Sequence, residues 1–370
     1  MKKTFILFFI IMLLLEPYSL LAADIEEDPS ALAEKQIDMF DFSGLNAAGG
    51  VDFRDLTSKA ISGELDLSAA GLANRVWNLF FGELKANWAL IRNLMLIAIL
   101  SAVLVNLTDS FKNKSVGELG FYISYMALVL VLFASFQLML GVATSVVGTL
   151  SDIMTAALPI ALGLLAITGN ITSATMFSPL FALVIETLTL FTKYILTPIL
   201  VFATALEIVN FLTEKKPLTD FAALIRKGAE WAIKLIAVIF LALLSLQKLS
   251  APILNNLAVK TAKAAANAIP VVGGMLSGAL DTVIYWGSAA KSGLLVALVI
   301  GMAVAISVPI LKIAAMYLIY RVTAALIQPI SDERIVDCIT AIGDSCNLIL
   351  KTSITVGIMF IVSVVVLLAV

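Results

Sequence analysis

The feature that most constrains this chain is a pair of long segments without a charged side chain. Leu119 to Ser151 covers thirty-three residues, and Ile153 to Ile185 covers thirty-three more. A helix needs about 20 apolar residues to cross a hydrocarbon core of roughly 30 Å, more than a buried soluble helix requires. The composition agrees, because 61% of the residues are hydrophobic and 14% are charged. We therefore expect an all-α, polytopic helical membrane protein.

The N-terminus has the pattern of a secretory signal. Two lysines precede an apolar run from Phe5 to Leu15, and small residues precede Asp24. This pattern predicts a signal peptide at 1–23, cleaved after Ala22 or Ala23, with an uncleaved signal anchor as the alternative. In both cases the chain from Asp24 onward starts outside the cytosol.

The segment that follows, 24–87, is predicted to be a small acidic extracytoplasmic segment. Between Asp24 and Asp66 there are eleven acidic residues and three basic ones. It is the only sizeable part of the sequence that is not dominated by apolar runs.

The rest of the chain divides into membrane helix groups at 88–246 and 293–370. Two of the nine candidate spans, Ile153–Ile167 and Ile313–Ile327, are short, and the first could be a re-entrant or broken helix, so we expect about seven to nine transmembrane helices. The turn residues Gly169 and Asn170 divide the second charge-free run. The candidate spans are Trp88–Leu107, Gly120–Val147, Ile153–Ile167, Ile171–Phe191, Tyr194–Leu212, Trp231–Leu246, Leu294–Leu311, Ile313–Ile327 and Thr352–Val370.

The basic residues suggest an orientation for these spans. If the chain starts outside, the first span brings Lys112 and Lys114 into the cytosol. Later spans place four basic residues there as well, as the positive-inside rule requires: Lys215, Lys216, Arg226 and Lys227. The nine-span count then places 247–292 outside and the C-terminus in the cytosol, although 247–292 carries four lysines and one acidic residue. If Ile153–Ile167 does not cross, the orientation of everything after it inverts.

Residues 247–292 are predicted to form a re-entrant or interfacial helical hairpin. Helix signals at Leu257 to Ala268 stop at Pro270, and a helical pattern resumes at Met275 to Tyr285 with Asp281 as its lone charge. Gly274 and Gly278 would let another helix approach closely, or they merely form a turn. The candidate hairpin or gate residues are Lys263, Pro270, Gly273, Gly274 and Gly278.

The sequence lacks the residues of common catalytic sites. It has no histidine and no phosphate-binding loop, and it offers no carboxylate pair at a working spacing. We therefore expect no enzymatic activity, no catalytic residue and no bound metal or cofactor. On a helix Cys338 and Cys346 would lie about 12 Å apart along the axis, which favours two free, half-buried thiols over a disulfide unless the chain bends at Gly343.

Several charged residues lie inside or beside the predicted spans. A charge near the bilayer centre costs about 2.5–3.5 kcal/mol, so one that persists usually faces a protein interior or a wet cavity. Lys193, Lys312 and Arg321 could instead extend to the interface, and Glu186 could pair with Lys193 on one helix face. The candidate residues that face a conduit or a partner are Glu186, Glu207, Lys234 and Asp281.

Several motifs together resemble the stage III sporulation protein AE family of endospore-forming bacteria. The resemblance covers roughly Gly120 to Val370 and is most specific between Thr261 and Val283. The motifs are Ala157-Leu158-Pro159-Ile160, Gly169-Asn170-Ile171-Thr172, Met176-Phe177-Ser178-Pro179, Thr261-Ala262-Lys263, Ile269-Pro270-Val271-Val272-Gly273-Gly274-Met275, Asp281-Thr282-Val283 and Gln328-Pro329-Ile330.

The resemblance implies a role in endospore formation. Members of the family are polytopic proteins of the mother-cell membrane around the forespore, in a channel or secretion-like complex. The implied partners are the other stage III A operon proteins, including a cytosolic ATPase and ring-forming proteins, together with a forespore-membrane partner and membrane lipid, with no nucleic acid. Three roles stay open: the membrane core of a conduit, an assembly platform for other subunits, and an independent secondary transporter.

Overall fold

The computed structural model describes residues 35–65, 69–111, 114–213, 215–242 and 273–368. These residues form helices and turns with no β-strand, so the all-helical prediction is confirmed for this part of the chain. The predicted signal peptide and the predicted helix at Leu257 to Ala268 lie outside the described residues. The helices are α1 (Ser43–Gly49), α2 (Phe53–Ser62), α3 (Ala69–Ala86), α4 (Trp88–Phe111), α5 (Lys114–Ile167), α6 (Ile171–Leu190), α7 (Thr197–Asn210), α8 (219–242), α9 (Gly273–Ile327) and α10 (Glu333–Leu368).

Helix α5 corrects the prediction that Gly120–Val147 and Ile153–Ile167 are separate spans. It is one continuous helix of 54 residues, roughly 80 Å long at about 1.5 Å per residue. Asp152, the only charge between the two apolar runs, is exposed on its surface. A charged residue does not interrupt backbone hydrogen bonding, so the helix continues through it.

Helix α5 ends where the sequence predicted a break. Gly169 has a left-handed backbone (φ 79°), and the Asn170 amide donates 2.8 Å back to the Leu165 carbonyl. This arrangement satisfies carbonyls left free at a helix end, and glycine adopts the left-handed conformation without a steric penalty. The chain then reverses into α6.

The connection between α6 and α7 is a π-helical segment, Phe191–Leu196. Pro198 follows directly at the start of α7 and has no backbone N–H to donate to the preceding turn. The Thr197 amide and hydroxyl both donate to the Thr192 carbonyl, the hydroxyl at 2.9 Å. The wider turn therefore lets α6 and α7 continue as one apolar rod, where the sequence predicted two spans.

Helix α9 runs without a break from Gly273 to Ile327, over 55 residues. This corrects two predictions. The predicted second arm of the hairpin, Met275 to Tyr285, is part of the same helix as the predicted span at Leu294, and the spans Leu294–Leu311 and Ile313–Ile327 are joined through Pro309. Membrane helices tolerate an internal proline because neighbouring groups satisfy the freed carbonyl.

Four described helices are long and apolar enough to cross a membrane. A fifth is counted if the pair α3–α4, bent by 41°, forms one span. The predicted count of seven to nine is therefore not confirmed, largely because adjacent predicted spans merge into single long helices. The four segments are Leu119–Ile167, Phe181–Asn210, Gly287–Ile327 and Glu333–Leu368.

The long helices build two hydrophobic cores along one bundle. One core joins the C-terminal half of α5 to the N-terminal half of α9 and the end of α10, and it includes α1 and α2. The other joins α4, the N-terminal half of α5, α7, the end of α9 and the start of α10. We call the two ends of the bundle the α1–α2 end and the loop end, where the connections after α7 and α9 lie.

The acidic N-terminal segment packs against the bundle through glycine notches. Phe53 of α2 is fully buried, and its ring fills the space beside Gly301 on α9 and Gly49 on α1. Phe40 occupies the same kind of notch at Gly163 on α5. Because a methyl group on either bundle glycine would overlap these rings, the fit depends on glycine at both positions.

The two cysteines of α10, Cys338 and Cys346, are both free, as favoured, but fully buried rather than half-buried.

The C-terminal end of α10 belongs to the core at the α1–α2 end, through Leu367 and Leu368. The C-terminal helix therefore ends beside the N-terminal segment, whereas the nine-span count placed the two on opposite sides.

Candidate functional site

A buried ion pair joins α7 to α8 near the loop end. Glu207 lies three residues before the end of α7 and is 8% exposed. The Arg226 guanidinium donates to its carboxylate, and it also donates 3.0 Å to the Ser345 hydroxyl and 3.3 Å to the Ala341 carbonyl on α10. The guanidinium of α8 thus binds groups on two other helices, α7 and α10, which uses the several fixed donors of arginine.

The ion pair continues into a network of four alternating charges. The other side of the Arg226 guanidinium lies 4.0 Å from the Asp344 carboxylate on α10, and Arg321 of α9 donates to the same carboxylate. The four charges sum to zero. Glu207 is buried, Arg226 and Asp344 are half-buried and Arg321 is exposed. Because each charge has an opposite charge beside it, the network offsets part of the desolvation cost of the first three.

Neutral hydroxyl groups extend the network. The Thr204 hydroxyl on α7 donates 3.0 Å to the Ser345 hydroxyl, which also accepts from Arg226. Both hydroxyls are buried. We call Thr204, Glu207, Arg226, Arg321, Asp344 and Ser345 the charged network.

A cavity of about 300 Å³ lies between α7 and α8 beside the charged network. Six of its nine lining residues are polar or charged, which distinguishes it from the apolar interior of the bundle. Such a wall could hold water or a polar solute. The lining residues are Glu207, Asn210, Phe211, Thr219, Ala222, Ala223, Arg226, Lys227 and Glu230.

The turn between α7 and α8 is fixed by Asn210. This side chain is 2% exposed; it donates 2.8 Å to the Thr219 hydroxyl and accepts 2.7 Å from the Leu218 amide. A buried amide with both ends satisfied holds the turn in one geometry. It therefore sets the spacing of the two cavity walls.

A second set of charges lies at the loop end itself. Lys216 has a left-handed backbone (φ 43°), and its ammonium donates 2.5 Å to Asp337 and 3.3 Å to Glu333 on α10. The hydrogen bond to Asp337 raises the pKa of Lys216 above its ordinary value. This contact attaches the α7–α8 turn to the start of α10.

The loop before α10 has its own charge pair. Arg334 donates 3.1 Å to Asp332 and lies over the Phe121 ring of α5 at 3.6 Å. Burial raises the pKa of Asp332, but hydrogen bonds from the Arg334 side chain and amide, with its charge, lower it below the ordinary value. The loop end is therefore held together by charges of the α7–α8 turn, the loop before α10 and α10 itself, and by the contact of Arg334 with the Phe121 ring of α5.

The structure places the sequence candidates in different surroundings. Glu207 lies in the charged network, whereas Glu186 and Lys234 are exposed on the outside of the bundle. Among the described side chains no ion pair joins Glu186 to Lys193, whose ammonium lies 5.5 Å from the Tyr194 ring centre.

The remaining candidates lie at or beyond the limits of the described residues. Asp281, Gly273, Gly274 and Gly278 belong to the described backbone of α9, but nothing is described of their surroundings. Lys263 and Pro270 lie outside the described residues. Within the parts of the chain that the structure describes, no group of three or more carboxylate or thiol side chains could hold a metal ion.

Sequence reasoning missed most of the charged network. Arg226 was assigned to a cytosolic loop, and Arg321 to a span boundary. One signal could have found Asp344: Asp337, Asp344 and Lys351 are spaced seven residues apart in an otherwise apolar helix, which puts all three on one face.

Comparisons with known proteins agree on one family. A family model described as stage III sporulation protein AE matches residues 51–370. The chain is also similar to the stage III sporulation protein AE of Bacillus subtilis (strain 168), with 30% identity over 311 residues, which is 83% of this chain and 77% of that protein. No solved structure matches.

Proposed function

The chain belongs to the stage III sporulation protein AE family, which supports a role in sporulation, and from that premise we propose that it is an integral membrane component of the channel or secretion-like complex between mother cell and forespore. In this role it acts without catalysis of its own. Its site is the mother-cell membrane around the forespore.

The observation that carries this proposal is the charged network beside the α7–α8 cavity. Three of its charges, Glu207, Arg321 and Asp344, lie in helices that are long and apolar enough to span a membrane. Each would cost about 2.5–3.5 kcal/mol at the bilayer centre. Charges that persist at this cost, paired and beside a polar cavity, are typical of a path for polar solutes.

In the conduit role, the cavity wall between α7 and α8 forms part of the path. Glu207 and Arg226 present opposite charges to it, and Asn210 fixes its width. Lys234, Asp281 and the residues around Pro270 are proposed contributors where several subunits meet. The exposed positions of Glu186 and Lys234 suit contacts with a partner better than a path inside one chain.

The energy for such a conduit is proposed to come from a separate subunit. The sequence contains no phosphate-binding loop of the G-x-x-x-x-G-K-[ST] type. The proposed partners are other stage III sporulation proteins, including the cytosolic ATPase and ring-forming proteins of the same operon, and a partner in the forespore membrane.

A specific observation also favours the second role, an assembly platform. Asp38, Asp52 and Asp55 line an open hollow of about 340 Å³ between the segment before α1 and the start of α2, with Arg54 paired to Asp38 among them. An acidic face carried on a firmly packed segment suits the docking of a basic protein surface.

Cysteine accessibility distinguishes the conduit from the platform. We expect a water-soluble thiol reagent to modify Ala223→Cys in the cavity wall, and a solute that fills the path to slow that reaction. The reaction would be measured in membranes from sporulating cells, in a chain whose buried Cys338 and Cys346 are replaced by alanine.

Phe202→Cys is the matched control, because Phe202 is 52% exposed on the outer face of α7. It is expected to stay unmodified in lipid. Modification confined to residues in loops, with Ala223→Cys as protected as Phe202→Cys, would contradict the conduit and support the platform.

A further inference from the structure

Four helices of the bundle each carry one lysine on the outside at the same height. Lys193, Lys234 and Lys351 are exposed, and Lys312 is partly exposed. Two contacts fix the height of the last pair. Gly343 of α10 faces Tyr320 of α9, and Gly357 of α10 faces Ile306 of α9. Since α9 and α10 are antiparallel, Lys312 and Lys351 both lie midway between these contacts.

Lys193 and Lys234 reach the same height on the other side of the bundle. Gly357 also faces Leu150 of α5. The midpoint between Gly343 and Gly357 lies seven residues before Gly357, so the same height on α5 lies seven residues before Leu150, next to Thr144. Lys193 lines a surface cleft with Thr144. Arg226 of α8 contacts α10 between Ala341 and Ser345, and the two helices run in the same direction. Lys234 lies eight residues after Arg226, so it reaches the height of Lys351 on α10. We call Lys193, Lys234, Lys312 and Lys351 the lysine ring.

The distance from the lysine ring to the loop end matches the thickness of a bilayer. Lys193 lies 17 residues before Asn210 (210 − 193), Lys312 lies 15 before Ile327 (327 − 312), and Lys351 lies 18 after Glu333 (351 − 333). These separations correspond to about 22–27 Å of helix. A lysine side chain that extends toward water covers most of the remaining distance to a hydrocarbon core of roughly 30 Å.

The outer surface of α5 changes character at the same height. On the loop-end side, among the side chains described from Leu119 onward, every exposed position with a large side chain except Gln137 is apolar or aromatic: Leu119, Tyr122, Ile123, Met126, Leu130 and Leu138. On the other side, the exposed positions are small or polar: Gly141, Ser145, Asp152, Thr155, Pro159 and Ala166. On α6, α8 and α9, exposed large apolar residues continue about two to three turns beyond the lysine ring, to Leu183, Leu241 and Val304. On α9, between Gly287 and Met302, only Ser292 is exposed.

Two exposed aromatic residues accompany the lysine ring. Tyr194 is 63% exposed next to Lys193, and Trp231 is 65% exposed one turn before Lys234. Tyrosine and tryptophan collect at membrane–water interfaces, because the ring prefers the apolar side and its polar group the wet side. Lysine and aromatic residues at one height are therefore typical of an interface.

We propose that the lysine ring marks one membrane–water interface and binds lipid phosphate groups there, so that the bilayer surrounds only the loop-end half of the bundle. The other half, with α1 and α2 packed on α5 and α9, stands outside the membrane on the side of the N-terminal segment. This inference rests on the membrane location proposed above. It explains how helices of roughly 80 Å fit a membrane of roughly 30 Å.

The membrane boundary can be tested on α5 with single cysteines in an otherwise cysteine-free full-length chain. The protein is reconstituted in vesicles of phosphatidylethanolamine and phosphatidylglycerol, and a charged maleimide is supplied on both sides. We expect Asp152→Cys and Thr155→Cys to react at least about tenfold faster than Ile123→Cys and Leu130→Cys, because a thiolate forms in water and not in hydrocarbon.

Protection of Thr155→Cys equal to that of Leu130→Cys would overturn the proposed boundary. So would the reverse order, which would put the bilayer at the α1–α2 end. Recovery of the native chain from membranes without detergent is a different result, and it would contradict the membrane-complex proposal itself.

Phosphate binding by the lysine ring is tested through Trp231, with the other three tryptophans changed to phenylalanine. We expect brominated phosphatidylglycerol to quench Trp231 fluorescence more than brominated phosphatidylcholine at the same mole fraction. The combined change of Lys193, Lys234, Lys312 and Lys351 to glutamine should abolish this preference. Equal quenching by the two lipids in the unchanged ring would overturn the headgroup contact.

Discussion

Two glutamates in apolar helices of this protein have different surroundings. Glu186 and Glu207 both belong to the apolar rod of α6 and α7, 21 residues apart (207 − 186). Glu186 points outward, whereas Glu207 is buried against Arg226 of α8. The cation from another helix makes the burial of Glu207 possible, because an unpaired carboxylate would not remain charged in that position.

At this scale we predict a difference between the two glutamates. Glu207→Leu should destabilise the protein by about 1–3 kcal/mol, because it removes the nearer of the two carboxylates beside the partly buried Arg226. Glu186→Leu, at an exposed position, should change stability by no more than about 0.5 kcal/mol. Thermal unfolding in detergent measures both effects.

The double variant Glu207→Leu with Arg226→Leu separates stability from function. The variant protein should regain much of the lost stability, since no unpaired charge remains. Cells that produce it should still fail to form heat-resistant spores if the charges serve the conduit. Normal sporulation by the double variant would contradict a functional role for the pair.

At the scale of elements, the packing of α2 depends on glycines in α9. The Phe53 amide donates 2.8 Å to the Asn46 side chain, and the Asp52 carboxylate accepts from the Asp55 amide at the start of α2. These hydrogen bonds hold the Phe53 ring in line with the notch at Gly301. A short helix that could not stay folded alone is stabilised by this packing.

We predict that Gly301→Ala releases α2 from the bundle. The added methyl group would overlap the Phe53 ring, and overpacking of this kind typically costs about 1–3 kcal/mol. Limited proteolysis should then cleave the segment around α2 faster than in the unchanged protein.

Two comparisons give this prediction its controls. Gly141→Ala, on the open surface of α5, should not change the cleavage rate, because nothing lies within contact distance of the added methyl group. Phe53→Ala combined with Gly301→Ala should remove the overlap without restoring the packing. A cleavage rate in Gly301→Ala equal to that of Gly141→Ala would refute the notch.

At the scale of the whole molecule, two cores share three long helices. Helices α5, α9 and α10 each contribute to both cores, at the α1–α2 end and at the loop end. A rigid helix that crosses both cores couples their stability, because loss of packing at one end removes support at the other. The charged network adds links between α7, α8, α9 and α10 near the loop end.

We predict that the two halves unfold together. On heating, the reactivity of Cys338 and Cys346 reports on the loop end, and protease cleavage at α2 reports on the other end. Both should rise with the same midpoint temperature, as a two-state transition requires. Leu128→Ala in one core and Leu150→Ala in the other should each lower both midpoints, at a cost of about 2–5 kcal/mol. Separate midpoints for the two probes would show independent halves.

The sequence by itself determined the class of the protein. The uncharged run from Leu119 to Ser151 suggests a membrane helix, and the Gly169-Asn170 turn was read correctly from its residue types. The family resemblance also came from local motifs. These features depend on residues close together in the chain, so a linear reading can find them.

The tertiary structure decided how the helices divide and which charges meet. Whether Asp152 ends a span depends on which surface it faces, and Asp152 lies on the exposed side of a continuous helix. Glu207, Arg226 and Asp344 are separated by up to 137 residues (344 − 207), and only the packing of α7, α8 and α10 brings them together. Pairing between distant segments is a property of helix packing in space, and no local pattern in the chain records it.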